Sequence, residues 1–384
     1  MTINMGPSHP AMHGTVRLIL ELDGETIVRC KPEIGYLHRG FEKMCEEGTW
    51  NQAIPYTDRL NYASPMLNNI GYVMTVEKLL EIEITERAKY VRTIAGEMSR
   101  LADHLTSVGA GALELGGYTA MLWAIEAREY IYKLTEKLTG ARLTTNFTRV
   151  GGLSHDLPDD FAADWTDVRD KVKKLVEDVR RILTENRIFV DRMAGIGKIS
   201  QQDAIAYGWT GVCLRSTGVD YDVRKTHPYL VYDRLDWDVP LGHEGDNFDR
   251  YLCRMEEIGQ SMSIIDQCLE QLPEGPVNID DWGIVLPEKS DVYNSIEGMI
   301  AHFKLIMEGG RVPAGEAYGY SEGGNGELGF YIVSAGQGHP WRLHVRGPCF
   351  ALMQALEQLV VGGMIADIIP TFDTINMIGG EIDR

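Results

Sequence analysis

Two histidines four residues apart, His9 and His13, stand inside Gly6-Pro7-Ser8-His9-Pro10-Ala11-Met12-His13-Gly14. On a helix that spacing puts both imidazoles on one face, as in a pair of metal ligands. Pro10 and the flanking glycines argue against a helix. The stretch reads instead as a stiff, irregular loop leading into a strand. Such a loop can hold an imidazole at one point for a polar ligand, or it can be a structural turn whose histidines bond backbone. Arg39, Arg59 and Tyr62 lie in two further polar and aromatic segments, Gly35–Lys43 and the Pro-bounded Pro55–Pro65. The last candidate is Glu114 in Ala112-Leu113-Glu114-Leu115-Gly116, a lone carboxylate among apolar neighbours. Its burial costs free energy unless it is paired. Its partner is either backbone or an arginine, or it is a histidine that the carboxylate orients.

Other chemistries find little support. Gly195-Ile196-Gly197-Lys198 lacks the rest of a phosphate-binding loop, and Gly323-Gly324-Asn325-Gly326 lies between strands, where a turn explains it. No nucleophile elbow is present. A net charge of -19 speaks against nucleic acid, whose phosphates demand Lys and Arg. The six cysteines are scattered, with no C-x-x-C pair, which fits a reducing compartment and weighs against metal ligation by this chain. No signal sequence is expected at the start of the chain. The most apolar windows, Leu105–Ala127 and Phe350–Ile369, are broken by Glu114 and Glu126 and by Glu357 and Asp367, so no membrane-spanning helix is expected.

The elements that must position these residues follow from periodicity. Val16–Leu22 alternates, Asp23-Gly24 follows, and Glu25–Cys30 continues, which predicts a hairpin with a type I′ turn. Helical spacing runs through Ala88–Leu105, Ala124–Leu138, Trp165–Ile182, Met255–Leu272 and Val292–Ile306. These narrow stripes suit a bundle. Residues 195–240 lack periodicity and read as an irregular excursion that is functional or covered by a partner. Strands return at Gly315–Tyr320, Leu328–Ser334 and Trp341–Arg346, followed by a helix over Phe350–Val361. The expected fold is α+β: residues 1–64 carry the hairpin and site loops, 65–310 a central helical bundle, and 311–384 late strands, a helix and the tail. Small antiparallel sheets come from the hairpin and the late strands, and their association would bring both chain ends together.

The ordered motifs Gly6-Pro7-x-His9-Pro10-x-x-His13-Gly14, Gly35-Tyr36-x-His38-Arg39-Gly40-x-Glu42-Lys43, Arg59-Leu60-x-Tyr62, Gly326-Glu327-Leu328-Gly329 and Gly380-Glu381-Ile382-Asp383-Arg384 closely resemble the D-subunit family of proton-pumping NADH:quinone oxidoreductase, respiratory complex I. The resemblance runs from about Asn4 to Arg384. It implies a peripheral-arm subunit on the cytoplasmic face of a bacterial membrane. Its implied neighbours are a small subunit that carries the terminal [4Fe–4S] cluster, other peripheral-arm subunits and a quinone-channel membrane subunit. Quinone is reduced between this chain and the cluster subunit, coupled to proton translocation. The resemblance assigns Tyr62 and His13 to the quinone carbonyls, Glu114 to His13, and Arg39 and Arg59, with His9 nearby, to the lining. Quinone reduction places negative charge on two oxygens, which donors stabilise and protons complete. Histidine, with a reference pKa about 6.5, can carry a proton near neutrality, whereas tyrosine, about 10, remains a neutral donor.

The family is also similar to the [NiFe]-hydrogenase large subunit, whose paired cysteines this chain lacks, so no metal site of that kind is expected in it. A hydrogenase-type metalloenzyme and a purely structural scaffold are the competing readings. Three positions depart from the family pattern. Where this chain has Glu114 the family often has Asp, at Thr144 often His, and at Asn325 often Arg. Loss of an imidazole and a guanidinium beside the cluster would lower its potential, which favours menaquinone over ubiquinone as substrate.

Overall fold

The structure is a computed structural model describing residues 1–384. Its architecture is α+β, with three small antiparallel sheets set around a helical bundle. The Glu86–Glu114 helix is the axis. Thr85 caps it, its side chain accepting from the Ala88 amide at 3.3 Å. The Ala88, Val91, Ala95, Met98, Ala102, Leu105 stripe is buried against Tyr118–Thr139 and Asn247–Glu270, and Phe161–Leu183 closes the same core. Each of these helices buries one apolar face, which is what narrow stripes demand.

The polar side of the axial helix is buried too, because residues 195–240 fold over it. In that excursion Arg224 meets Asp222 at 2.7 Å and Glu97 at 3.2 Å. Arg215 meets Glu257 at 2.6 Å and Glu322 at 2.8 Å, and His104 Nε2 lies 2.7 Å from Glu257. Tyr232 and Ser261 each donate to Glu97 at 2.6 Å. The absence of periodicity there reflects short helices held by ion pairs instead of by an apolar stripe.

The N-terminal sheet pairs Thr2–Met5 with Arg17–Asp23 and Arg17–Asp23 with Thr26–Glu33. At the hairpin only Gly24 takes positive φ (61°), with Asp23 paired to Thr26. Glycine therefore occupies the first central position, as in a type II′ turn, not the expected type I′. This sheet packs on the C-terminal segments around Leu352, Leu356, Phe372 and Ile382, so the two ends of the chain share one core. The late strands, Gly315–Gly323, Gly326–Ser334 and Arg342–Arg346, form a separate sheet over Pro65–Leu80. The chain ends meet as expected, but the two sheets belong to different cores. Two expected helices are interrupted. The Val292–Ile306 stripe breaks at Ser295, whose hydroxyl accepts from the Gly298 amide at 2.9 Å, and Phe350–Val361 divides at Ala355. No helix is long and apolar enough to cross a membrane.

Candidate functional site

The His9–His13 stretch forms a single 3-10 turn, Pro10–Met12. His9 caps it, its Nδ1 accepting from the Ala11 amide at 3.2 Å. His9 thus takes the structural alternative. His13 ends the turn with φ 53°, in the left-handed region, and its exposed ring stacks on Phe372 at 6.3 Å between centroids. Partial burial lowers its pKa from 6.5, so the ring is neutral at pH 7.

Tyr62 follows Asn61 in the loop between Trp50–Thr57 and Pro65–Leu80 and is 48% exposed. That loop is tied to the axial helix by Asp103, which accepts from Asn61 Nδ2 at 2.7 Å and Ser64 Oγ at 2.8 Å. The other Asp103 oxygen accepts from Asn376 Nδ2 at 2.9 Å, so one carboxylate joins the Tyr62 loop to the C-terminal region. Burial raises the Tyr62 phenol, Asp103 raises it further and Arg128 opposes, leaving a neutral donor at physiological pH.

The tail brings the two ring-bearing loops together. A Cβ on Gly379 would stand 2.8 Å from Thr15, and one on Gly380 would stand 2.3 Å from the Arg59 carbonyl. Consecutive glycines therefore let the backbone press against the end of the His13 loop on one side and the start of the Tyr62 loop on the other. The tail is clamped in turn. Asp383 accepts from the Gly35 and Leu37 amides at 2.9 and 2.8 Å, and His38 Nδ1 lies 3.0 Å from the Arg384 carbonyl. Arg39 donates to the Arg59 carbonyl at 3.0 Å. Much of the Gly35–Gly40 motif thus anchors the tail.

Arg39 and Arg59 line a cavity of about 880 Å³ with Phe41, Met44, Gln52 and Tyr56. Tyr62, His13 and Glu114 do not line it. Arg59 is exposed, and the buried Asp58 beside it also faces Asn146 and Arg149. Burial pushes Asp58 up to about 6. Thr144, two residues before Asn146, is half-buried with φ 53°. Asn325 is buried, donates to Cys349 Sγ at 3.2 Å and accepts from Asn376 at 2.5 Å, inside the knot around Asp103.

Glu114 ends the axial helix, half-buried, with Oε2 lacking a hydrogen-bond partner. Burial pushes it up to about 7. No hydrogen bond joins it to His13; its charged neighbour is Asp373. Asp103, Asp373 and Gly379 escaped the sequence reading, and Gly380 entered it only as part of the terminal motif. Asp103 stands among other polar residues, and Asp373 stands between Phe372 and Thr374 with Thr371 close by, so neither gives the signal that Glu114 gives in its apolar run. The six cysteines are buried and free, and no group of three or more His, Cys, Asp or Glu is placed to hold a metal ion.

Comparison with known proteins agrees with the motifs. The profile of the family described as "Respiratory-chain NADH dehydrogenase, 49 Kd subunit" matches residues 114–384. The first D subunit of NADH-quinone oxidoreductase from Sorangium cellulosum is 57% identical, covering 100% of this chain and 95% of that protein. The D subunit of the same enzyme from Myxococcus xanthus is 57% identical, with 100% and 92% covered. The C/D subunit from Bdellovibrio bacteriovorus is 50% identical over 100% of this chain and 69% of its own length. With its motifs in order, its ends folded into one core and relatives matched along its full length, the chain belongs to the D-subunit (49 kDa) family of NADH-quinone oxidoreductase, complex I.

Proposed function

We propose that this chain supplies one wall of the quinone-reduction site of complex I, with the facing wall formed by a small subunit that carries the terminal [4Fe–4S] cluster. The observation that carries this reading is the packing of Gly379 on Thr15 and Gly380 on Arg59, which brings the His13 and Tyr62 loops to one place from opposite ends of the first 64 residues. There a phenol and a neutral imidazole can each donate to a quinone oxygen as charge develops on it. Neither ring has a hydrogen-bond partner within the chain, so both donors are free for a ligand. Arg39 and Arg59, on the wall of the wide cavity, face the cluster subunit. Electrons arrive from NADH through that subunit, and reduction is coupled to proton translocation. The protein lies on the cytoplasmic face of a bacterial membrane, against other peripheral-arm subunits and the membrane subunit through which quinone enters. The joint C/D name of the Bdellovibrio relative supports the C subunit as one of those neighbours.

A photoreactive quinone analogue added to the assembled complex is expected to label residues 6–14 and 59–64 in competition with native quinone. Labelling confined to the Arg39 cavity or to other subunits overturns the assignment. The preference for menaquinone now rests on Thr144, since Asn325 lies in the interior. Replacing imidazole by a hydroxyl removes a titratable charge near the cluster, so its midpoint potential is expected to be low and nearly independent of pH. Redox titration followed by electron paramagnetic resonance checks this, and a high, steeply pH-dependent potential rules it out.

A further inference from the structure

From Leu60 to Pro65 every residue is buried except Tyr62. Asn61 and Ser64, on either side of it, donate to the same Asp103 oxygen at 2.7 and 2.8 Å. Asn61 Oδ1 accepts from the Ala63 amide at 3.0 Å, and the Asn61 carbonyl accepts from Asn68 Nδ2 at 2.9 Å. The backbone around the phenol is thus fixed from behind, and the ring alone is left facing outward.

The carboxylate behind it is held in turn by two other parts of the chain. Asp103 belongs to the axial helix and is fully buried. Its second oxygen accepts from Asn376 Nδ2 at 2.9 Å, and Asn376 donates onward to Asn325 Oδ1 at 2.5 Å. Asn325 belongs to Gly323-Gly324-Asn325-Gly326, the turn between the first two late strands. Arg100, one turn before Asp103 on the axial helix, donates to the Gly323 and Glu322 carbonyls at 3.0 and 2.8 Å and fixes that turn in place. There the turn presses on Asp103. A Cβ on Gly324 would overlap Asp103 Oδ2 and stand 3.1 Å from Ser64 Oγ. Glycine at 324 therefore does more than make a turn, since it lets backbone close over the carboxylate and the Ser64 hydroxyl. Two amides and a hydroxyl, and no cation, satisfy Asp103, so each bond depends on the others being in place.

We propose that Asp103 is a positioning residue for quinone reduction: it holds Asn61 and Ser64 against the Gly323–Gly326 turn and so aims the Tyr62 phenol at a quinone oxygen. This rests on the quinone-site reading above. Donation from the phenol strengthens only as charge develops on that oxygen, so a loosened aim costs turnover more than binding. Asp103→Asn keeps the shape of the side chain and turns one oxygen into an NH2 group. That group meets the Nδ2 of either Asn376 or Asn61, and a donor facing a donor loses the bond.

The Asp103 charge acts on the phenol as well. Burial raises Tyr62, Asp103 raises it further, and Arg128 from the Tyr118–Thr139 helix opposes both. Removing the Asp103 charge therefore makes the phenol a stronger acid, an effect that loss of packing alone would not produce.

The test uses the assembled complex. Asp103→Asn is expected to lower kcat for quinone reduction by about tenfold with KM little changed. In a Tyr62→Phe background it is expected to add nothing, because no phenol is left to aim. Losses that multiply in the double variant overturn the proposal. A second reading uses 3-nitrotyrosine installed at position 62, whose phenolate absorbs visible light. Its titration is expected to move down by about half a pH unit in Asp103→Asn, and an unmoved titration overturns the proposal too. Full turnover in Tyr62→Phe alone instead overturns the quinone-site reading, and because the titration needs no quinone the two failures are separable. If Asp103→Asn fails to assemble, Ser64→Ala serves, since it removes one donor from the same oxygen. It is expected to lower kcat by about threefold while Tyr62 is present and not in its absence, and an equal loss in the Tyr62→Phe background sinks the proposal.

Discussion

Tyr62→Phe is expected to lower the quinone-reductase turnover of the assembled complex by about 10²-fold, the usual loss on removing one donor to a developing oxyanion. The substitution deletes one oxygen and keeps the ring, so packing around Leu60 and Ala63 is preserved. The loop stays in register because Asp103 holds Asn61 and Ser64, not Tyr62. The phenol is raised by burial and by Asp103, so it stands as a neutral donor across the physiological range. His13→Ala removes the second donor and is expected to cost a similar factor. The imidazole's pKa is lowered by burial, so the wild-type ring carries its own charge only below the usual 6.5. Turnover that depended on a resting imidazolium would therefore rise toward acid pH, and turnover that uses the neutral ring would not. Steady-state quinone reduction in membranes checks both, with NADH oxidation by a hydrophilic acceptor as the control for assembly. Turnover within twofold of wild type in both variants would leave the chain a scaffold.

The second large effect is on stability. Arg224 lies in the interior between Glu97 and Asp222, with its guanidinium 4.4 Å from the Trp237 ring centroid. Arg224→Met keeps the volume and removes the charge. Glu97 retains Arg100 as its cation, and Asp222 retains Arg215 at 3.2 Å, but both lose their nearer contacts. Leaving buried carboxylates short of a cation costs about 3–5 kcal/mol. Against a total of about 5–15 kcal/mol for a typical domain that is a large share. The expected result is loss of assembled complex at growth temperature, or a melting transition many degrees lower. Adding Asp222→Asn is expected to recover part of the loss, since it withdraws one of the stranded charges. A single variant that melts within a degree of wild type would mean that water reaches this network.

The helices were legible because each buries a continuous stripe, and a stripe is a local property of residues three and four apart. Ala88–Leu105, Trp165–Ile182 and Met255–Leu272 all fold as their spacing requires. Where a segment is held by ion pairs to distant residues, periodicity is silent, and residues 195–240 looked irregular for that reason. The exposed Ile296, Met299, Phe303 and Ile306 show the converse, since an apolar stripe marks a helix without saying what covers it.

By itself the sequence determined the α+β class, the family, and the residue types available for the site. It singled out Glu114 through the cost of burying an isolated acid, whereas Asp373, between Thr371 and Thr374, gave no such signal. Which acid faces which partner was decided by the tertiary structure. Glu114 makes no hydrogen bond to His13, and a helix from the far end of the chain, Ile368–Thr374, packs on both the histidine turn and the axial helix, where Gly111 leaves room for the Asp373 carboxyl. The meeting of the His13 and Tyr62 loops depends likewise on Gly379 and Gly380. Burial, and with it each group's proton affinity, is a property of neighbours hundreds of residues away, and spacing along a chain does not contain it.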